Sequence, residues 1–116
     1  MVRFLAIYIG TKDALARWNE LDEGERKARE AKGIEAWMDW GRRNADAIVE
    51  DGSPLGKTKR IAADGISDIR NNATGYVIVE SESHEAAAKL FVDHPHFTLF
   101  PGDSVEIMEC LPMPKR

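Results

Sequence analysis

Hydrophobic and polar positions alternate along the chain in patterns that predict several strands and helices. Residues 2–9 predict a first strand that is apolar on both faces and ends at Gly10. Residues 11–19 predict a polar connection that contains one helical turn. Later runs at residues 76–80 and 104–111 predict two further strands, and the run at 104–111 is again apolar on both faces.

The middle of the chain carries the longest helical pattern. Asp22 followed by Glu25 resembles a capping box. One unbroken helix from there to residue 50 would be about 42 Å long, which is long for so small a domain, so we predict a break at Gly33. The main helix is then expected at residues 34–50, where apolar residues recur at helical period, and Gly52 is expected just after its end.

The region after the main helix predicts an edge strand and a loop. Residues 57–62 carry three basic side chains, which are typical of the outermost strand of a sheet. Asp64 and Gly65 predict a turn, and residues 66–74 predict a long polar loop.

A short helix, with Ser83 as its N-cap and Pro95 at its end, is expected after the strand at residues 76–80. The element order is therefore βαββαβ. Two right-handed crossovers place both helices on one side of the sheet. We predict an α+β fold, a ferredoxin-like sandwich with an antiparallel four-stranded sheet.

The second face of this sheet needs a cover. An antiparallel sheet with one face in water alternates apolar and polar residues, and three of the four predicted strands do not. No predicted element remains to cover that face, so we expect a homodimer whose sheets pack face to face.

Length and charge narrow the functional class. The 116 residues predict a single domain over 1–116. A net charge of −4 offers no broad basic face, so nucleic acid is not an expected partner. The apolar opening is too short for a signal peptide or a membrane span, and a lone cysteine, Cys110, cannot form an internal disulfide. We expect a cytoplasmic protein without a membrane partner.

Several short segments, taken in order and spacing, resemble the YCII-related family of the dimeric α+β barrel superfamily. The matching segments are Phe4-Leu5-Ala6-Ile7-Tyr8, Ala36-Trp37-Met38, Gly52-Ser53-Pro54-Leu55-Gly56, Asp64-Gly65, Gly75-Tyr76-Val77-Ile78-Val79-Glu80, Asp93-His94-Pro95-His96, Val105-Glu106-Ile107-Met108-Glu109 and Pro112-Met113. The resemblance implies the same fold and dimer and brings no established reaction. Some members of the family are thought to use a histidine early on the first long helix, but residues 33–37 here contain none.

His94 and His96 are the main candidates for acid–base chemistry, because histidine changes charge near neutral pH. The carboxylate of Asp51 or of Asp93 could orient one of them as a general base. A structural interpretation is also open, since His94 would end a helix whose dipole favours a positive charge there. A metal site that includes Asp93 is a weaker interpretation, because the intervening Pro95 restricts the geometry. We assign no metal and no cofactor.

Tyr8, Trp37 and Trp40 could line a ligand pocket between helix and sheet, with Ser53 as a further contact. Core packing is the alternative for Trp37, and for Trp40 the alternative is a position that covers a dimer contact. Both predicted crossover helices end at the same edge of the sheet, where we expect Asp51, Ser53, His94 and His96 to be neighbours. The tryptophans lie about 15 Å before the end of their own helix, toward the other edge, so we expect two separate candidate sites.

The leading functional prediction is a homodimer that binds a small aromatic or lactone-like molecule in a cleft between helix and sheet. By analogy of fold, it could be a cofactor-independent enzyme of the isomerase, lyase or oxygenase type. The alternative is a non-catalytic dimeric accessory or regulatory module.

Overall fold

The computed structural model describes residues 1–114, which form a four-stranded sheet, a separate two-stranded hairpin and four helices. In chain order the elements are β1 (Val2–Ile9), α1 (Lys12–Asn19), α2 (Glu23–Arg43), β2 (Ile48–Pro54), β3 (Thr58–Ala62), β4 (Gly65–Ile69), β5 (Ala73–Ser81), α3 (His84–Lys89), α4 (Pro95–Thr98) and β6 (Ser104–Glu109).

The main sheet has the strand order β2-β5-β1-β6, and every neighbouring pair is antiparallel. Helical segments connect β1 to β2 and β5 to β6, as the ferredoxin-like arrangement requires. The predicted α+β sandwich is therefore confirmed. The predicted edge strand is wrong, because β2 occupies that edge and residues 57–62 lie outside the main sheet.

Helix α2 is continuous, and the predicted break at Gly33 is wrong. The helix begins after Asp22, whose carboxylate accepts a hydrogen bond from the Glu25 amide at 2.7 Å, as the capping pattern predicts. A methyl group at Gly33 would overlap the ring of Phe100, so this glycine allows close packing and does not interrupt the helix. Within residues 1–114, no helix is both long enough and apolar enough to cross a membrane.

The end predicted for α2 is also wrong, because the helix stops at Arg43 and residues 48–54 form an edge strand. Gly52 lies within that strand with a φ of 72° and does not cap a helix. The β2–β5 register is irregular between Glu50 and Ser53, and a methyl group at Gly52 would overlap the carbonyl of Tyr76. Glycine is needed at this irregularity for its left-handed conformation and for the close approach of β5.

Two further segments differ from the prediction. Residues 12–19 form a complete short helix, in which the Thr11 hydroxyl accepts a hydrogen bond from the Ala14 amide at 3.1 Å. Residues 65–69, predicted as part of a loop, form β4 and pair with β3 after the predicted turn at Asp64 and Gly65. This hairpin exposes its cross-strand pair Ile61 and Ile66, at 73% and 70%.

The segment around Pro95 begins a helix instead of ending one. Ser83 caps α3 as predicted, with its hydroxyl 3.0 Å from the Ala86 amide, but α3 ends at Lys89. Asp93 then adopts a left-handed φ of 57°, and His94 becomes the N-cap of α4. The helix-dipole interpretation of His94 is therefore wrong, because this residue lies at a helix N-terminus, where positive charge is not favoured.

The two faces of the sheet have different surroundings. The face toward the helices holds a buried core that consists of Phe4, Ala6, Tyr8, Trp40, Val77, Val79, Ala87 and Phe91. On the opposite face, Leu5 of β1 lies across from Ile78 and Met108, and Ile7 lies across from Tyr76. This face is apolar at its centre, and it is the surface on which the predicted dimer depends.

Candidate ligand site

A cavity of about 950 Å³ opens between the main sheet, helix α2 and the loops that follow β1 and precede β5. Aromatic side chains of Tyr8, Trp37 and Trp40 form much of one wall. Its polar lining comes from Asp51 and Ser53 on the edge strand and from further groups at the mouth. This volume lies within the range of small-molecule sites.

The two predicted sites form one cluster, and their predicted separation is wrong. The ring centres of Trp37 and Trp40 lie 4.5 and 4.7 Å from that of His94. The Tyr8 ring lies 4.9 Å from Trp37 and 5.1 Å from His96. Because α2 ends earlier than predicted, its tryptophans lie near its C-terminal end, beside the His-Pro-His segment.

His94 lies behind the cavity wall and does not line it. The residue is 1% exposed, and its Nδ1 accepts a hydrogen bond from the His96 amide at 3.0 Å. Its Nε2 is buried without a hydrogen-bond partner among residues 1–114. Burial, together with the nearby His96, lowers the pKa of His94 to about 4, so the ring is neutral near pH 7.

His96 is 6% exposed and lines the cavity. Its Nε2 lies 2.8 Å from the carbonyl oxygen of Ile9. Burial lowers the pKa of His96, against the opposing effects of the Ile9 and Ser104 carbonyls and the Asp103 carboxylate. Of the two candidate histidines, His96 is the one that a bound molecule could contact.

Tyr8 supplies a hydroxyl group to the cavity. Its side chain is largely buried, yet the hydroxyl has no hydrogen-bond partner in the described chain and is not sealed from the cavity. Burial raises the pKa of Tyr8, which keeps the hydroxyl protonated. Tyr8 therefore offers a hydrogen-bond donor beside an aromatic wall.

Asp51 and Ser53 flank the glycine of the edge-strand irregularity and line the same cavity as His96. The Ser53 hydroxyl donates to the Pro54 carbonyl oxygen at 3.0 Å. Within residues 1–114, Asp51 makes no hydrogen bond to either histidine, so the predicted orienting contact is not formed.

Sequence reasoning missed the mouth of the cavity. Lys12 lies at the start of α1, while Arg70, Asn71 and Asn72 lie in the turn before β5. Within residues 1–114, neither Lys12 nor Arg70 forms an ion pair. The sequence did carry a signal for these residues. They adjoin the ends of the two central strands, and residues at neighbouring strand ends lie together at one edge of a sheet.

Across residues 1–114, no group of three or more histidine, cysteine, aspartate or glutamate side chains is arranged to hold a metal ion.

Comparisons with known proteins agree with the fold. No family model matches the chain, and no curated protein matches it. Among solved structures, it is similar to 5-chloro-2-hydroxyhydroquinone dehydrochlorinase (TftG) from Burkholderia phenoliruptrix AC1100, in complex with 2,5-dihydroxybenzoquinone. The TM-score is 0.52 at 13% sequence identity, over 91% of this chain and 90% of that chain. At this identity the likeness shows the fold alone, and it agrees with the α+β sandwich described above.

Proposed function

We propose that this chain is a single-domain, homodimeric, YCII-related protein that binds a small hydroxylated aromatic molecule in the cavity described above. The observation that carries the proposal is an open volume with an aromatic wall on which polar groups converge. A cleft filled by the two tryptophans would have argued against a ligand. The dihydroxyquinone named with the similar dehydrochlorinase structure is a flat ring with oxygen substituents, and it supports a ligand of this shape and polarity.

The chemistry available in the cavity suits proton transfer without a cofactor, as in an isomerase or a lyase. His96 would accept a proton from the ligand as a general base. The Tyr8 hydroxyl would donate a hydrogen bond to the ligand oxygen on which negative charge develops. Asp51 and Ser53 would hold polar substituents at the opposite side of the cavity. The name of the similar structure supports lyase chemistry.

In this proposal His94 supports the site and does not act as the base. It lies outside the cavity lining, and its low pKa leaves it a weak base at neutral pH. Its Nδ1 fixes the amide of His96, and its ring packs against both tryptophans of the wall.

A second candidate function is a non-catalytic dimeric accessory module. The observation that favours it is the apolar open face of the sheet around Leu5, Ile7 and Ile78, which is suited to association. This candidate predicts a dimer whose cavity binds no aromatic molecule.

Titration with 2,5-dihydroxybenzoquinone separates the two functions, with tryptophan fluorescence as the signal. We expect saturable quenching, because Trp37 and Trp40 line the cavity. Tyr8→Phe keeps the ring and removes the hydroxyl, so affinity should fall about tenfold through loss of one hydrogen bond to a charged oxygen. Unsaturable quenching, or the same affinity in Tyr8→Phe, would contradict the proposed site.

A further inference from the structure

Gly102 lies against the imidazole edge of His96. A methyl group at residue 102 would overlap Cε1 and Nε2 of this ring and also the backbone oxygen of His96. The Gly102 amide donates a hydrogen bond to that same oxygen at 3.0 Å. The chain after α4 therefore folds back over His96 at a distance that only glycine permits.

This glycine is not required by its backbone conformation. Among the described residues, the glycines with a left-handed φ are Gly52 and Gly65, and Gly102 is not one of them. Space beside His96 is therefore the reason for glycine at this position. Gly41 lines the same cavity and provides a contrast, because a methyl group there would have no neighbouring atom within 4 Å.

The contact of His96 with the end of β1 defines where its proton lies. Nε2 is 2.8 Å from the Ile9 carbonyl oxygen, and a carbonyl oxygen can only accept. Nε2 must therefore carry the proton, and the neutral ring keeps its lone pair on Nδ1. The Ile9 oxygen also accepts the Asp103 amide at 2.9 Å, so this acceptor is held in place from two directions.

We propose that Gly102 is a positioning residue that holds His96 as its Nε2–H tautomer, with the lone pair of the neutral ring on Nδ1. A side chain at residue 102 would push the ring away from the Ile9 oxygen. Either ring nitrogen could then carry the proton, so the basic lone pair would no longer lie on one defined nitrogen. The tautomer does not depend on the proposed function.

Long-range nitrogen–proton NMR spectra of the uniformly nitrogen-15-labelled protein at pH 7.5 report the tautomer directly. We expect His96 to show the Nε2–H pattern in the wild-type protein. An Nδ1–H pattern, or a mixture of the two, would overturn the inference.

The matched pair Gly102→Ala and Gly41→Ala then tests the glycine itself. We expect mixed His96 tautomers in Gly102→Ala and the wild-type pattern in Gly41→Ala. A folded Gly102→Ala protein with the wild-type pattern would overturn the positioning role. If Gly102→Ala does not fold, the wild-type spectrum still decides the tautomer. Because no ligand is present, a failure of the proposed ligand site would be a separate result.

Discussion

Acidification from pH 7.5 to pH 5 should destabilise the folded protein through the buried ring of His94. This ring is 1% exposed, packs against Trp37 and Trp40, and has an unpartnered Nε2 within residues 1–114. Within residues 1–114 no carboxylate forms a salt bridge with His94, so a proton on the ring would place an uncompensated charge in an aromatic environment. Burial accordingly lowers its pKa to about 4, from an ordinary value of 6.5.

The sign of the effect follows from which state binds the proton. Between pH 6.5 and pH 4 the unfolded chain holds a proton at His94 and the folded chain does not, so acid favours unfolding. The stabilisation is complete above pH 6.5 and is lost as the pH falls toward 4. From these two pKa values, the free energy of unfolding at pH 5 is expected to be about 2 kcal/mol lower than at pH 7.5. Burial of His96 acts in the same direction.

The measurement is urea unfolding at pH 7.5 and at pH 5 of the wild-type protein and of His94→Asn. Asparagine keeps an acceptor for the His96 amide and is a good N-cap, but it does not titrate. We expect the wild-type protein to lose about 2 kcal/mol more than the variant. His84→Asn replaces an exposed histidine in the same way and controls for effects of the substitution that do not depend on burial. Equal losses in the wild-type protein and His94→Asn would refute the reasoning.

Three further predictions concern packing, charge and assembly. Gly33→Ala should lower the free energy of unfolding by about 1–3 kcal/mol, because its methyl group would overlap the packed ring of Phe100. Gly41→Ala, on the same helix, should leave the free energy of unfolding unchanged or raise it in the same urea assay. Arg70→Met should weaken the binding of anionic 2,5-dihydroxybenzoquinone several-fold at low salt, because Arg70 lines the cavity and carries a positive charge. The affinity for neutral hydroquinone should not change in the same fluorescence titrations. Equal losses of affinity for both ligands would contradict a charge contact. Ile7→Lys on the open sheet face should convert the proposed dimer to monomer in sedimentation equilibrium, whereas Ile61→Lys on the exposed hairpin should not.

Local signals in the sequence predict much of the fold. The caps at Asp22 and Ser83 depend on hydrogen bonds within three residues, so a short pattern is sufficient to find them. The predicted first strand is confirmed as β1. It is predictable because a run of β-branched and aromatic residues that ends at a glycine is a strong strand pattern. The βαββαβ order of the main sheet is confirmed, but its second strand is residues 48–54 and not the predicted residues 57–62.

Errors arise where a local pattern fits two structures. Ile48 and Val49 continue the helical stripe of α2, yet they belong to the edge strand, which is held by pairing with a strand distant in sequence. Gly33 resembles a helix breaker when only its sequence neighbours are considered. The ring that packs on it, Phe100, comes from a remote loop that the local pattern does not show. The first of these errors, the late helix end, lengthens the predicted distance between the tryptophans and the histidines.

The candidate site is predictable only in part for the same reason. Tyr8, Trp37 and His96 are recognisable by residue type, since aromatic and titratable side chains stand out in any sequence. The cations at the mouth and the glycine beside His96 are ordinary residues in loops. Their roles come from tertiary contacts, which no local pattern records.

The central claim is that the cavity between α2 and the sheet binds a small hydroxylated ring of the hydroquinone or quinone type. A crystal structure of the chain grown with 2,5-dihydroxybenzoquinone tests it most directly. We expect the ring to lie against Trp37 with one of its oxygens within hydrogen-bond distance of the Tyr8 hydroxyl. Binding at any other place, or an empty cavity at saturating ligand concentration, would contradict the account.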